Sequence, residues 1–397
     1  MPELIDFEEA QRLILELVSP LPAEPVAIAD AYGRVAAEDV PSAVNLPPFD
    51  SSAMDGFAVR AEDTPGSLPV VFHVAAGSPA PRPLGPGEAM GIGTGGALPT
   101  GANAVIPIEY VVHRDNNVEI AEAVATGANV RPVGGDLGRD EVVVSGGTVL
   151  GPAQVGALAA AGVAQVACAR RPRAAVLATG SELRAPGEPL GPGQIYEANG
   201  PILDAQLRSA GADVERMLPV GDDERVHREA IARGLEADVL LTTGGVSVGV
   251  HDLVRQVESE LGVREVFWGV SVKPGKPISF GVREGRLVFG LPGNPVSALV
   301  GFELFVRPAV LALQGAARPG PDWESGRLAE SVRANPGRDE LIRARAKVGD
   351  EGIELEPLAG RESHMIARAA AANALVLVQR SAGDVAAGST VRYLRLS

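Results

Sequence analysis

The chain has 397 residues, 46% of them apolar and 4% aromatic, with a formal net charge of −15 at pH 7. That length holds two to four domains with ample core, and the acidity argues against nucleic acid or an anionic membrane as a partner. One cysteine, Cys168, excludes an intrachain disulfide and a cysteine-rich zinc site, and five scattered histidines show no HExxH spacing.

The acidic N-terminus, MPELID, lacks a signal-peptide core. No apolar run reaches the roughly 18 residues that span a bilayer. A soluble cytoplasmic protein is expected.

In chain order, residues 6–18 form an amphipathic helix, with Asp6 and Glu9 in capping-box spacing and Phe7, Ala10, Ile14 and Leu17 on one face. From about 40 to 148 short β-branched runs alternate with Gly and Pro, which reads as an inserted β-rich domain. Residues 152–162 read as an Ala-rich helix with proline at its start and glycine at its end. From about 171, near-continuous apolar strands alternate with helices: a strand at 174–178, a helix capped by Asn199, a strand at 213–220, a helix capped by Asp222 or Asp223, a strand at 237–242 and a helix from Asp252. A hairpin (278–282 and 286–290) and a long helix from Asn294 to about Leu313 close this unit. Such a pattern predicts a parallel, doubly wound sheet covered on both faces. Residues 318–397 return to short strands.

The expected fold class is therefore α/β multidomain: a central doubly wound α/β unit (171–317), an N-terminal helical segment (1–40 plus 137–170), an inserted β-rich domain (41–136) and a C-terminal small β-domain (318–397).

Of 35 basic residues only three are lysine, and two of them fall in Lys273-Pro274-Gly275-Lys276-Pro277. An ammonium is a compact cation with rotatable donors and suits a compact anion better than the flat guanidinium does. Three further segments fit the carboxyl edge of a doubly wound sheet, where ligands bind. They are Thr179-Gly180-Ser181-Glu182, the glycine-rich run 242–249 with Gly244, Gly245 and Ser247, and Leu291-Pro292-Gly293-Asn294-Pro295. Gly-rich turns leading into helices present free N–H groups that suit phosphate.

Asp50 and Asp55, within PPFDSSAMDGFA at 47–58, form either an Asx-turn or a pair of ligands for a hard cation such as Mg²⁺. Asp136, Glu182, Asp222 and Asp252 are further acids beside glycine turns or at helix starts, where capping is the plainer reading. Residues 91–96 match GxGxxG, but Pro99 and Pro107 follow instead of an amphipathic helix, so a dinucleotide site is excluded. A Walker A pattern is absent.

Taken in order, PPFDSSAMDGFA (47–58), TGGALPTGANAV (94–105), GGD (134–136), TGSEL (179–183), TGGVSVGVHD (243–252), KPGKP (273–277) and LPGNPVSAL (291–299) resemble the molybdopterin molybdenumtransferase family, MoeA and the gephyrin E-domain. Ser51 and Phe57 depart mildly from that pattern. The C-terminal stretch 360–364 departs more, leaving contacts from Arg343, Ser363 and His364 open.

The resemblance implies insertion of molybdate into adenylylated molybdopterin with release of AMP and Mg²⁺ assistance. It places Lys273 and Lys276 on phosphate or molybdate, with Ser297 and Pro277 shaping the oxyanion pocket. Asp55, Glu182, Asp222 and Asp252 are then the candidates for Mg²⁺, and Thr94 and Asp136 supporting contacts from the β-rich domain. It also implies a homodimer with shared active sites, and contact with the molybdopterin adenylyltransferase. Two other functions fit parts of the chain: that adenylyltransferase itself, and a gephyrin-like scaffold.

Overall fold

The computed structural model describes residues 4–221, 223–244 and 251–396. Its centre is a six-stranded sheet built from β1 (Arg173–Thr179), β2 (Asp213–Arg216), β3 (Val239–Gly244), β4 (Arg264–Trp268), β5 (Ser279–Arg283) and β6 (Arg286–Leu291). The strand order is β2-β1-β3-β6-β5-β4. The first four of these are parallel, and the hairpin strand β5 turns the far edge antiparallel.

Successive side chains of a strand point to opposite faces, and the uninterrupted apolar runs feed two cores. Ala174, Val176, Val239 and Leu241 enter one core, with Leu203 and Leu207 of α3 (Asn199–Ser209). Ala175, Leu177 and Leu240 enter the other, with Ile231 of α4 (Glu224–Gly234) and Val254 and Val257 of α5 (His251–Glu260). Phe280 and Phe289 stack across β5 and β6 at 4.9 Å between ring centroids. Truncating such a fully buried ring costs about 3–5 kcal/mol.

The long helix is three pieces: α-helical Pro295–Gly301, a π-helical turn at Phe302–Val306 and α-helical Arg307–Leu313. Pro308 supplies no amide to the carbonyl of Leu304 four residues back. Gln11 Nε2 donates to that oxygen instead, at 2.7 Å. Thus the N-terminal helix, Phe7–Glu16, packs Phe7, Ala10 and Ile14 into the core of the α/β unit. Its expected capping box does not form: Asp6 makes no cap bond and takes Arg380 at 2.6 Å, while Glu9 takes Arg12. Among the described residues, Pro295–Leu313 has the length and mean hydropathy of a membrane span, but Glu303 and Arg307 interrupt its apolar run and 72% of its most apolar 18-residue window is buried as a core helix.

The β-rich region carries a six-stranded sheet that includes Gly56–Val59, Gly66–Val74, Ala89–Ile92 and Ala104–Pro107. Short ladders, Ala23–Ala27 with Gln165–Ala169 and Val40–Pro41 with Val142–Val144, join the segments on either side of it. In the C-terminal sheet, Asp339–Gly349 pairs with both Gly352–Pro357 and Ala374–Val378. Its remaining edge receives Val272–Lys273 in parallel register with Asp339–Glu340. The lysine loop therefore starts as a strand of the C-terminal domain.

Candidate active site

The carboxyl ends of β1, β3 and β6 come together, with Gly244 at the end of β3 close to both Thr179 and Gly293. Gly244 has φ +90°, and a Cβ there would lie 2.2 Å from the carbonyl oxygen of Thr179, so only glycine lets the β3 loop close on the end of β1. Beneath these loops runs a buried polar network. Asn199 Nδ2 donates to Thr243 Oγ1 and to the Gly293 carbonyl, both at 2.8 Å. Thr243 Oγ1 in turn donates to the Pro292 carbonyl at 3.2 Å, and Thr179 Oγ1 donates to the Thr243 carbonyl at 3.4 Å. Asn199 is not the expected cap. It is the first residue of α3, Ala198 stands at the cap position without a side-chain bond, and the amide fixes the loops instead. Sequence reading missed this role, because an Asn before a helix signals a cap and the two acceptors lie 44 and 94 residues away.

Gly180 and the exposed Ser181 and Glu182 follow Thr179 at this edge. The Glu182 carboxylate folds over Gly180, where a Cβ would come within 2.6 Å of Oε2. Gly245, Ser247 and Asp222 lie outside the described residues, as does the side chain of Asp252, the second residue of α5. Asp223 does cap α4, accepting from Val226 N at 3.0 Å.

The lysine loop packs beside the first turn of α6 (Pro295–Gly301): a Cβ at Gly275 would touch Ile278, Val272 and the Ser297 carbonyl. Ser297 is buried there, and Pro277 is half-buried. The two lysines differ. Lys273 Nζ is paired with the buried Glu340 at 3.1 Å, so its charge is partly spent within the protein. Lys276 is half-buried and forms no ion pair among the described residues.

The divergent loop 360–365 also reaches this edge. Asn294 Nδ2 donates to Ser363 Oγ at 2.9 Å, and Val296 N donates to the Ser363 carbonyl at 3.1 Å. One of the α6 amides expected to face an anion is thus taken by the protein itself. Arg343, buried, holds the loop from inside through the carbonyls of Met365 (2.8 Å), Glu362 (3.2 Å) and Gly360. Burial pulls its guanidinium pKa below the usual value, opposed by the nearby Glu362.

In the β-rich domain three distant motifs converge on one surface. Asp55 Oδ1 accepts from Thr94 N at 2.6 Å and Thr94 Oγ1 at 2.9 Å. These bonds hold the carboxyl pKa below its ordinary value, the backbone amide contributing most. Asp50 Oδ1 accepts from Val133 N at 2.7 Å, so neither carboxylate forms the Asx-turn considered from sequence. Asp136 N donates to the Leu46 carbonyl and Gly95 N to the Ser52 carbonyl, which seats GGD and TGG beside PPFDSSAMDG. Phe49 and Met54 are 47% and 41% exposed on the same segment. The GxGxxG segment is strand Ala89–Ile92 followed by a turn, with no helix behind it.

No hydrogen bond or ion pair among the described residues joins this surface to the α/β edge of the same chain, and no group of three or more acidic, His or Cys side chains forms among them. The carboxylates present suit a Mg²⁺ that takes one or two protein oxygens and completes its shell with water and substrate phosphate.

Residues 175–312 match the probable molybdopterin binding domain. That sets the class: an α/β unit of the probable molybdopterin-binding type. Residues 5–162 match the MoeA N-terminal region (domain I and II), and 325–396 the MoeA C-terminal region (domain IV). Molybdopterin molybdenumtransferase 2 of Mycobacterium tuberculosis is 36% identical over 403 residues, covering 98% of this chain and 99% of its own. The molybdopterin molybdenumtransferase of Haemophilus influenzae is 35% identical with 98% of each chain covered. The solved MoeA protein of Pyrococcus horikoshii OT3 superposes with a TM-score of 0.86 at 30% identity, over 99% of this chain and 100% of its own. The chain belongs to the MoeA family of molybdopterin molybdenumtransferases. The flanking β-domains, which the adenylyltransferase alternative leaves without a role, are matched as parts of that family.

Proposed function

We propose that the α/β edge binds adenylylated molybdopterin and molybdate, and that AMP leaves as molybdenum is inserted. The observation that carries this reading is Lys276. It is the one lysine without an ion pair among the described residues, and its loop lies against the first turn of α6 in an otherwise acidic protein. It supplies the positive charge that a tetrahedral dianion beside a phosphoanhydride demands. Lys273 has a weaker share, being coupled to Glu340. Thr179, Gly180, Ser181, Gly244 and the Pro292–Pro295 turn line the phosphate side, over the Asn199 network.

Mg²⁺ belongs to this proposal, with Glu182, Asp222 and Asp252 as its candidate protein ligands. When bound it neutralises phosphate charge. Asp55, kept ionised by Thr94, serves from the β-rich domain. Because that surface has no bond to its own α/β edge among the described residues and exposes Phe49 and Met54, we place it against the cleft of a second copy. The site is then shared across a homodimer. Contact with the molybdopterin adenylyltransferase, which would hand over the adenylylated substrate, and a cytoplasmic location complete the reading.

The test is AMP release from protein-bound adenylylated molybdopterin on adding molybdate and Mg²⁺. Wild type is expected to release AMP only when molybdate is present. Lys276→Arg, folded by circular dichroism, is expected to lose about 100-fold in rate, the scale of one lost transition-state charge contact. Folded wild type with no molybdate-dependent release would end the proposal. A fully active Lys276→Arg would remove the lysine from it.

A further inference from the structure

Away from the ligand edge, a cavity of ≈ 180 Å³ opens between α5 and the β4–β5 side of the sheet. Its polar lining is Arg255, Glu258 and Ser259 of α5, Glu265 of β4 and Ser279 of β5, with Val263 and Val288 as apolar walls. Glu258 is only 7% exposed, and its Oε1 has no hydrogen-bond partner. A buried carboxylate oxygen left without a partner is costly, and native structures seldom keep one without a reason. Glu265 is already served, since Arg255 donates to both its oxygens at 2.7 and 2.8 Å. Two carboxylates thus stand against one committed guanidinium, with two serine hydroxyls beside them.

We propose that this cavity is a binding site for a small primary ammonium compound with a short apolar chain, its –NH₃⁺ seated on Glu258. The one guanidinium in the lining is already taken by Glu265, so the cavity offers an anion no free cation. A directly ligated transition metal does not fit either, because no third acid, His or Cys joins the two glutamates among the described residues. An ammonium brings three donors, enough for Glu258 Oε1 and the hydroxyls of Ser259 and Ser279. Its alkyl tail meets Val263 and Val288, and 180 Å³ accommodates about six water volumes.

Without a ligand, burial chiefly, and then the charge of Glu265, push the Glu258 carboxyl up to about 8, against the opposing pull of Arg255. Arg228 of the adjacent α4 is paired with Glu260 at the helix end. The native state therefore holds this proton between pH 4.5 and about 8, where the unfolded chain has lost it, and stability falls as pH rises through that window. An ammonium takes the proton's place. Binding at pH 7 releases close to one proton, and affinity rises about tenfold per pH unit up to about 8.

The experiment is titration calorimetry of the full chain with butylammonium chloride, in two buffers of different ionisation enthalpy, with butanol as the neutral control. Saturable butylammonium binding with proton release is expected, with butanol at least tenfold weaker. Glu258→Gln, nearly isosteric, is expected to abolish the binding and the proton release while melting no lower than wild type at pH 8. Ser279→Val, which removes a hydroxyl acceptor and narrows the cavity while keeping the carboxylate, is expected to weaken butylammonium more than tenfold. No saturable binding to wild type, or equal binding to Glu258→Gln, overturns the proposal. Failure here leaves molybdate-dependent AMP release untouched, because the cavity shares no residue with that site.

Discussion

Asn199 shows what one amide does at the floor of the ligand edge. It ties α3 to Thr243 on β3 and to Gly293 in the β6 turn, so the spacing of the β3 end and the β6 turn depends on one buried side chain. Asn199→Ala leaves the Gly293 carbonyl without this donor and takes one partner from the buried Thr243 hydroxyl. The expected loss is about 1–3 kcal/mol of stability, with a raised KM for the phosphate-bearing substrate. Asn199→Asp sets a carboxylate oxygen against the Gly293 carbonyl and is expected to cost more. Chemical denaturation and steady-state AMP release together check this. If both variants match wild type in stability and KM, the network does not position the loops.

At the scale of elements, the C-terminal loop 360–365 is the joint between two domains. Arg343 gathers its carbonyls from beneath, while Asn294 and Val296 hold Ser363 from above. Lysine cannot reproduce that fork of donors. Arg343→Lys is therefore expected to cost about 1–3 kcal/mol, raise amide exchange in 360–365, and lower kcat/KM for molybdate. Asn294→Ala is expected to do less alone and to add little to Arg343→Lys, because both act on one loop. Unchanged exchange in 360–365 would show that Arg343 only fills space.

The limits of sequence reading lie at the same scale. The strands of the α/β unit were legible because unbroken apolar runs such as 174–178 have few alternatives in a chain that alternates with helices. The three glycine turns were legible as a set, and the structure brings the ends of β1 and β3 and the β6 turn together at Thr179, Gly244 and Gly293. What escaped were long-range pairings with no local signal: Lys273 with Glu340, Asp50 with Val133, Asp6 with Arg380 instead of a capping box. The π turn escaped too, since Pro308 announces a broken helix but not that Gln11 takes the freed carbonyl.

For the whole molecule, the question is where Asp55 and Thr94 act. They sit on a surface of the β-rich domain that has no bond to the lysine loop of its own chain among the described residues. A twofold axis would present that surface to the partner's cleft and return the contact reciprocally, giving two composite sites per dimer. Asp55→Asn and Lys276→Ala are each expected to be inactive as homodimers, and both to stay folded because neither residue carries core packing. After mixing and subunit exchange, about half the dimers are mixed, and each has one site free of both substitutions. Molybdate-dependent AMP release is then expected to return to roughly a quarter of wild type, by symmetry counting alone. Native mass spectrometry establishes that exchange has occurred. If exchange is complete and activity stays absent, Asp55 and Lys276 do not meet across subunits, and the β-rich domain serves its own chain.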